Sequence, residues 1–320
     1  MLDQSEGCTD VSEAHKSPIA LAVGTILFVP LVQLQLRADI ITQIGGDTRN
    51  FTILNTSGAG SQLHLSQGTI TGNIGVGGTG TVKADGSGTI DGNVDFSASN
   101  AGQFSITPSK TLNGSVNYSQ TDVTNDLTSI SNFSSAVDAE AGFSLGAINL
   151  ASGQSLTINA SSGVSDGKGN RVFTISSFTA AAGSTITLNS DLAGDNVILN
   201  LDTGGNTVML DGNVILNGIT SDQVFFNVTG GGELKIDGGS VQGIFSDLNG
   251  QIFVSAATIG GRLFGGDATT IQIVSNASLD SKTPEPSEIL LLSTVLFGSV
   301  LAYKRGWLRR GAANPGPRQA

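Results

Sequence analysis

The octet TITGNIGV at Thr69–Val76 returns as TIDGNVDF at Thr89–Phe96 and as TLNGSVNY at Thr111–Tyr118. Looser copies follow as MLDGNVIL at Met209–Leu216, SVQGIFSD at Ser240–Asp247 and TIGGRLFG at Thr258–Gly265. Gly72, Gly92 and Gly114 are separated by 20 and 22 residues, and Gly243 and Gly261 by 18. A period near twenty is one coil of a β-solenoid. The residues two before and two after the glycine, Ile70 and Ile74 or Ile90 and Val94, fall on one face of an extended strand and enter a common core. The Gly-Asn pair between them permits a bend or bulge, and Asn side chains at equivalent positions of successive coils stack as hydrogen-bonded ladders. Each coil buries a few aliphatic side chains, contributing roughly 1.5–3 kcal/mol apiece, and depends on its neighbours for the rest. The pattern predicts an all-β fold, a right-handed parallel β-solenoid over residues 39–279. Ordinary hairpins in a β-sandwich are the alternative that the octets leave open.

One segment breaks the pattern. From Thr121 to Ala139 the apolar residues Val123, Leu127, Ile130, Phe133 and Val137 recur at three- and four-residue steps, the signature of one helix face. Thr121 is the expected N-cap, Asp122 and Asp126 lie toward the positive end of the helix dipole, and Gly142 is the expected stop. A helix over about 121–139 with one apolar stripe is predicted to pack alongside the solenoid. Strand signals then resume at Ser155–Asn159, Arg171–Ser176, Ser184–Asn189, Asn196–Leu201 and Gln223–Val228, with Gly230, Gly231 and Gly232 as a turn. The run Val224-Phe225-Phe226-Asn227-Val228 is the bulkiest and is expected deepest in the core.

The 320-residue chain contains 44 glycines, with aromatic residues at 5% and charged residues at 13%, as many short strands joined by tight turns require. Between Asp39 and Thr283 there are eight Lys and Arg against twenty Asp and Glu, a net charge of −12. Such a surface repels phosphates, so no nucleic-acid partner is expected. The one cysteine, Cys8, precedes this body, which therefore holds together without disulfides.

Both ends carry membrane signals. Lys16 precedes an apolar segment from Ile19 to Val32, and Leu36-Arg37-Ala38 is a tolerable cleavage pattern, so residues 1–38 read as a signal peptide or leader cut after Ala38. The acidic stretch before it departs from an ordinary leader, and an uncleaved signal anchor is the alternative. At the other end Pro284, Glu285 and Pro286, in a linker over 280–288, lead into an apolar run from Ile289 to Tyr303 and a membrane-stop basic cluster, Lys304, Arg305, Arg309 and Arg310. Fifteen residues span roughly 22 Å as a helix, short of the ~30 Å hydrocarbon core, so flanking side chains must supply the difference by snorkelling. The expected transmembrane helix with its basic end covers 289–308, and a cytoplasmic tail covers 309–320; a buried core helix is the competing reading.

The order Pro284-Glu285-Pro286, short hydrophobic helix, Arg-rich end resembles the PEP-CTERM sorting signal of Gram-negative bacteria that make extracellular polysaccharide. The resemblance covers about Thr283 to Arg310; the tail from Gly311 to Ala320 is longer than that family usually shows. It implies an exosortase-type membrane protease as a partner, transient anchoring in the inner membrane, cleavage near the sorting motif, and a final place at the cell surface or in the extracellular matrix. More loosely, TITGNIGV, the mid-chain helix, DQVFFNV, IDGGSVQGIF and ATIGGRLFGG resemble the choice-of-anchor A group of bacterial proteins, and the layout of a solenoid with a helix alongside is similar to the bacterial ice-binding β-helix proteins.

Candidates for chemistry are few. His64 is the only histidine after the leader, and Leu63 and Leu65 put it on the solvent side of a strand. Asp85, Asp91 and Asp95 cluster in sequence, as do Asp191, Asp195 and Asp202, but a glycosidase pair needs two carboxylates about 5–9 Å apart across a cleft. No calcium-loop motif occurs, and no catalytic, metal or cofactor residue is expected. Thr69, Thr89, Thr111 and Thr258 recur at the first position of the octet, while the Thr-x-Thr pairs Thr79–Thr81 and Thr185–Thr187 do not repeat in each coil. The main expectation is an exported, non-enzymatic surface or matrix protein with an adhesive or structural role, in contact with extracellular polysaccharide. An ice- or glycan-binding module and a polysaccharide-degrading β-helix enzyme are the alternatives.

Overall fold

The apolar residues of the octets share one core because short parallel strands wind into coils of three faces. The computed structural model describes residues 38–56, 61–190, 194–266 and 270–281. The expected leader up to Arg37, the sorting motif Pro284, Glu285 and Pro286, the apolar run, and the basic cluster Lys304, Arg305, Arg309 and Arg310 lie outside the described residues. Among the described residues no helix is long and apolar enough to cross a membrane. Among the described residues the β-strands form a 22-stranded and a 3-stranded sheet, with every pairing parallel except Val164–Ser165 against Asn170–Ala180.

Coil order does not follow chain order. On the first face Phe51–Asn55 pairs with Asn73–Val76, which pairs with Val94–Phe96, which pairs with Val116–Asn117 at one end of the stack. The chain then crosses the stack through helix α2, Thr121–Asp138, and restarts at Phe143–Leu150 at the opposite end. From there it winds back through Asn170–Ala180, Asn196–Leu201, Val224–Val228 and Ser240–Asp247 to Thr258–Gly265. This last full strand pairs with Phe51–Asn55 on its other edge, Ile53 opposite Leu263. Leu63 lies opposite Ile271 on the second face, and Ile70 opposite Leu279 on the third. The C-terminal coil thus meets the N-terminal coil in mid-stack with no covalent link between them, and Thr52 Oγ1 and Ser281 Oγ meet at 2.6 Å where it does so.

Five of the six octets turn at the corner between the third and first faces. The sixth does not: Val208–Leu210 lies on the second face and Asn213–Asn217 on the third, so Gly212 of MLDGNVIL occupies a different corner. The octet asparagines do not stack side chain on side chain as expected: Asn73 Oδ1 accepts the backbone N–H of Asn93 at 2.9 Å, and Asn93 Oδ1 that of Ser115 at 3.0 Å.

Away from its terminal strands, the first face is buried on both sides. Val123, Ile130 and Val137 of α2 are at most 4% exposed and pack with Phe51, Leu54, Ile198, Phe225, Ile244 and Phe264 into a second core outside the coils. Phe133 meets Phe225 edge-on at 5.2 Å, and Val224–Val228 is buried along its whole length, as its bulk predicts. Buried amides join helix to sheet: Asn200 Nδ2 donates to Val137 O at 2.6 Å, Asn227 Nδ2 to Asn200 Oδ1 at 3.0 Å, and Ser134 Oγ to Asn227 Oδ1 at 2.6 Å. Two expectations about helices are corrected. Thr121 is the first helical residue, and the cap position belongs to Gln120, which makes no side-chain cap bond. A second helix, α1 at Ile40–Ile44, is capped by Asp39 through the Thr42 N–H at 2.9 Å; five residues are too few to show a helical period.

A buried ionic network ties this joint. Arg262, 2% exposed, donates from Nε to Asp222 Oδ1 at 3.1 Å, and from Nη1 to the carbonyls of Arg49 at 2.7 Å and Phe51 at 2.6 Å. Arg49 in turn reaches Asp222 at 3.3 Å and Asp39 at 2.8 Å. Removing one partner of a buried pair leaves an uncompensated charge. Arg262→Ala is expected to cost about 3–5 kcal/mol, read as a lower urea midpoint; a loss below 1 kcal/mol, about that of an exposed pair, would show that the network is not holding the joint.

Asp126 on α2 is buried and accepts the Asp47 N–H at 2.8 Å. Burial, with the Asp47 and Asp122 charges, pushes its carboxyl up to about 6 from an ordinary 3.8. The folded state therefore holds this proton more tightly than the unfolded state. The resulting stability is complete below the unfolded value and is lost as pH rises through about 6, on the order of 1–3 kcal/mol. Asp126→Asn should flatten the stability profile between pH 4 and 7, and parallel profiles for the two proteins would contradict the assignment.

Candidate binding face

The three faces differ in what they turn outward. On the second face the outward positions mix neutral residues such as Gln62, Thr81, Thr270, Gln272 and Phe253 with paired charges. His64 Nε2 lies 3.0 Å from Asp85, Lys83 Nζ 2.9 Å from the same carboxylate, and Lys235 Nζ 3.2 Å from Asp237. The Lys83 hydrogen bond, then that of His64, holds the Asp85 carboxyl below its usual range against the cost of its desolvation, while Asp237 raises the Lys235 ammonium.

The third face is built differently. The residue immediately before each inward aliphatic side chain points outward, and register stacks these residues into one column. Thr111 lies opposite Thr89, Thr69 opposite Ser278, Ser278 opposite Thr258, and Thr258 opposite Ser240. Thr89 and Thr69 are joined through their hydroxyls at 3.5 Å, and Ser278 and Thr258 at 3.4 Å. At the next level Asn213 Oδ1 accepts the Ser240 N–H at 2.9 Å, and Thr185 and Ser155 complete the column. Eight of its nine members are Thr or Ser; the six from Thr111 to Ser240 belong to the larger sheet and the three from Asn213 to Ser155 to the smaller one, and within each sheet they are spaced by the separation of neighbouring strands, about 4.8 Å.

A second outward column lies two residues further on, roughly 7 Å away along the strands. Its members are Asp91, Thr71, Asp280, Gly260, Gln242, Ile215, Thr187 and Thr157. At the Ser155 end a third column is a ladder of amides: Asn217 Nδ2 donates to Asn189 Oδ1 at 2.9 Å, and Asn189 Nδ2 to Asn159 Oδ1 at 3.2 Å. The third face is therefore a polar sheet surface of hydroxyls and amides at repeating spacings, interrupted by Asp91, Asp280, Gly260 and Ile215.

Sequence reasoning grouped Thr69, Thr89, Thr111 and Thr258, and it named Ser240 as an octet start and Thr185 in a Thr-x-Thr pair without placing either in the same column; Ser278 and Ser155 it did not single out. Ser278, Ser240, Thr185 and Ser155 each precede a buried aliphatic, Leu279, Val241, Ile186 and the partly buried Leu156, and that pairing is the signal that would have found them. The acidic candidates are dispersed. Asp85, Asp91 and Asp95 lie on the second, third and first faces. Asp95 accepts from Asn117 Nδ2 at 2.7 Å, and its burial raises it. Asp195 is buried against Arg171 Nε at 3.0 Å, Asp202 is exposed, and Asp191 lies outside the described residues. Among the described residues no group of three His, Cys, Asp or Glu side chains could hold a metal ion.

No family model matches the chain, and no curated protein does. Among solved structures it is similar to an ice-binding protein from the Antarctic ascomycete Antarctomyces psychrotrophicus, at 16% identity and a TM-score of 0.47, over 77% of this chain and 100% of that one. An ice-binding protein from an Antarctic biological consortium is similar at 17% identity and 0.47, over 77% and 93%. The DUF3494 domain of a Shewanella frigidimarina ice-binding protein is similar at 16% and 0.41, over 73% and 96%.

Proposed function

We propose that the chain is a non-enzymatic binding module that lays its third face on an ordered, repeating polar surface, with ice as the first ligand to test. The observation that carries this reading is the hydroxyl column. A flexible ligand has no use for runs of six and three positions in fixed register, whereas a lattice gains at each one, because the sheets hold the groups in place before binding and little ordering cost remains. The charged second face suits such a lattice less well, since its ion pairs stay hydrated.

Purified protein should shape ice crystals and produce thermal hysteresis. Thr258→Tyr, which places a bulky ring in mid-column, should remove most of that activity at unchanged melting temperature, while Lys83→Ala on the second face should leave it intact. Absence of ice shaping by the unaltered protein would overturn the ice reading. If the unaltered protein instead bound insoluble polysaccharide and Thr258→Tyr abolished that, the same face would serve a glycan.

The proposal keeps the route to the exterior that the terminal signals suggest: a leader cut after Ala38, transient inner-membrane anchoring, and processing near Pro284-Glu285-Pro286 by an exosortase-type protease. Intact-mass measurement on the protein from its host's envelope and medium should find both ends removed. A mass equal to the full 320 residues would contradict this route without touching the binding face.

A further inference from the structure

Among the described residues the core inside the coils is incompletely covered at both ends of the stack, with Tyr118 stacking on Phe96 at 5.4 Å at one of them. Phe104, Leu112 and Val116 at one end, and Leu145, Leu150 and Leu156 at the other, occupy inward positions yet are only partly buried. Their ladder neighbours Val82, Ile90, Val94, Ala180 and Ile186 are at most 1% exposed. Ile106 and Phe143, opposite Ala84 and Phe173 on the inward side, are 38% and 47% exposed. The strands of each terminal coil pair on one side only among the described residues, so one row of backbone groups at each end faces outward.

Both ends are nearly free of charge within an acidic chain. Residues 143–159 contain no charged side chain, and 104–117 contain only Lys110. The buried Lys110 ammonium is turned onto the carbonyls of Gly68 at 3.2 Å and Ser87 at 3.5 Å. The molecule already contains one joint of the kind these ends would make. In mid-stack the C-terminal coil lies on the N-terminal coil in parallel register on all three faces, without covalent continuity.

We propose that the chain associates head-to-tail with a second copy of itself, the Lys110–Leu112 level of one molecule stacking on the Ser155–Asn159 level of the next. All coils run in the same sense, so this contact continues the parallel ladders, closes the core over Leu112 and Leu156, and sets Thr111 beside Ser155 so that the hydroxyl column runs on. The contact joins two different surfaces and is therefore heterologous; repeated, it produces an open filament. It does not rest on the identity of the ligand.

Sedimentation of the full chain over a concentration series, in mild detergent to occupy the apolar run at its C-terminal end, tests it with two variants. Ile106→Lys blocks one end and Phe143→Lys the other; both residues are already well exposed, and unchanged thermal unfolding would verify that each variant folds. The unaltered chain is expected to lengthen with concentration, and each variant alone to remain monomeric. An equimolar mixture of the two should give a dimer of twice the monomer mass and nothing larger, joined through the remaining open ends. Monomers at every concentration, as when a segment of the same chain caps an end, would overturn the proposal. So would a mixture that fails to dimerise, or variants that still associate on their own.

Discussion

Successive coils approach so closely at the corner between the third and first faces that there is no room for a Cβ. A side chain added at Gly92 would run into the carbonyl of Gly72, one at Gly114 into that of Gly92, and one at Gly261 into that of Gly243. Gly72, Gly243 and Gly261 also hold positive φ, of 113°, 139° and 156°, where L side chains are strained. The bend is thereby fixed at one residue per coil. Because side chains alternate along a strand, fixing the bend also fixes which residues on either side of it turn inward and which turn out. The hydroxyl column follows from the same register: it is the outward residue next to the first inward aliphatic.

This local rule made much of the solenoid legible in the sequence. Apolar residues two before and two after a glycine, at intervals near twenty, mark a coil, and α2 declares itself by Val123, Ile130 and Val137. The order in which the coils stack is another matter. Nothing in TIGGRLFG states that Leu263 lies against Ile53, because the pairing is long-range and any coil of matching length and corner would satisfy the same local pattern. Met209–Leu216 shows the converse failure: its Gly-Asn matches the octet, but Leu210 and Val214 face the core around a different corner. Gly212 is packed there against Ser184, so the residue type reports close approach and not which approach. The buried groups Arg262, Asp222 and Asp126 were also invisible, since a charged residue read alone resembles a solvated one until its partner, forty or eighty positions away, is placed beside it.

Helix α2 resolves a difficulty that the winding order creates. The chain must travel from one end of the stack to the other between Val116–Asn117 and Phe143–Leu150, and the first face, apolar on its outer side, must be covered. A single amphipathic helix does both. Its contacts progress along the stack in order, with Leu127 close to Gly77, Ser134 bonded to Asn227 and Val137 bonded to Asn200. Buried Asn200 and Asn227 would be costly without partners, and α2 satisfies them. The helix is thus matched to particular coils by hydrogen bonds as well as by apolar area, which opposes sliding along an otherwise repetitive surface.

The third face is not uniform, and its gradient bears on how a repeating ligand would sit. Toward the Thr111 end the second column carries the carboxylates Asp91 and Asp280 on either side of Thr71, and a lattice of neutral water or sugar hydroxyls placed there must accommodate their hydration. Toward the Ser155 end the same column is Ile215, Thr187 and Thr157, flanked by the amide ladder of Asn217, Asn189 and Asn159. Those side chains are held by one another along the stack, so their donors and acceptors keep fixed directions before any ligand arrives. Exposed Ile215, 44% accessible, adds apolar contact among them. Preorganised polar groups with interspersed apolar area favour contact with a surface whose own water is already ordered, because little entropy remains to be lost on either side. If the third face binds as proposed, the end built from Ser155–Asn159, Thr185–Asn189 and Asn213–Asn217 is the part best suited to make first contact.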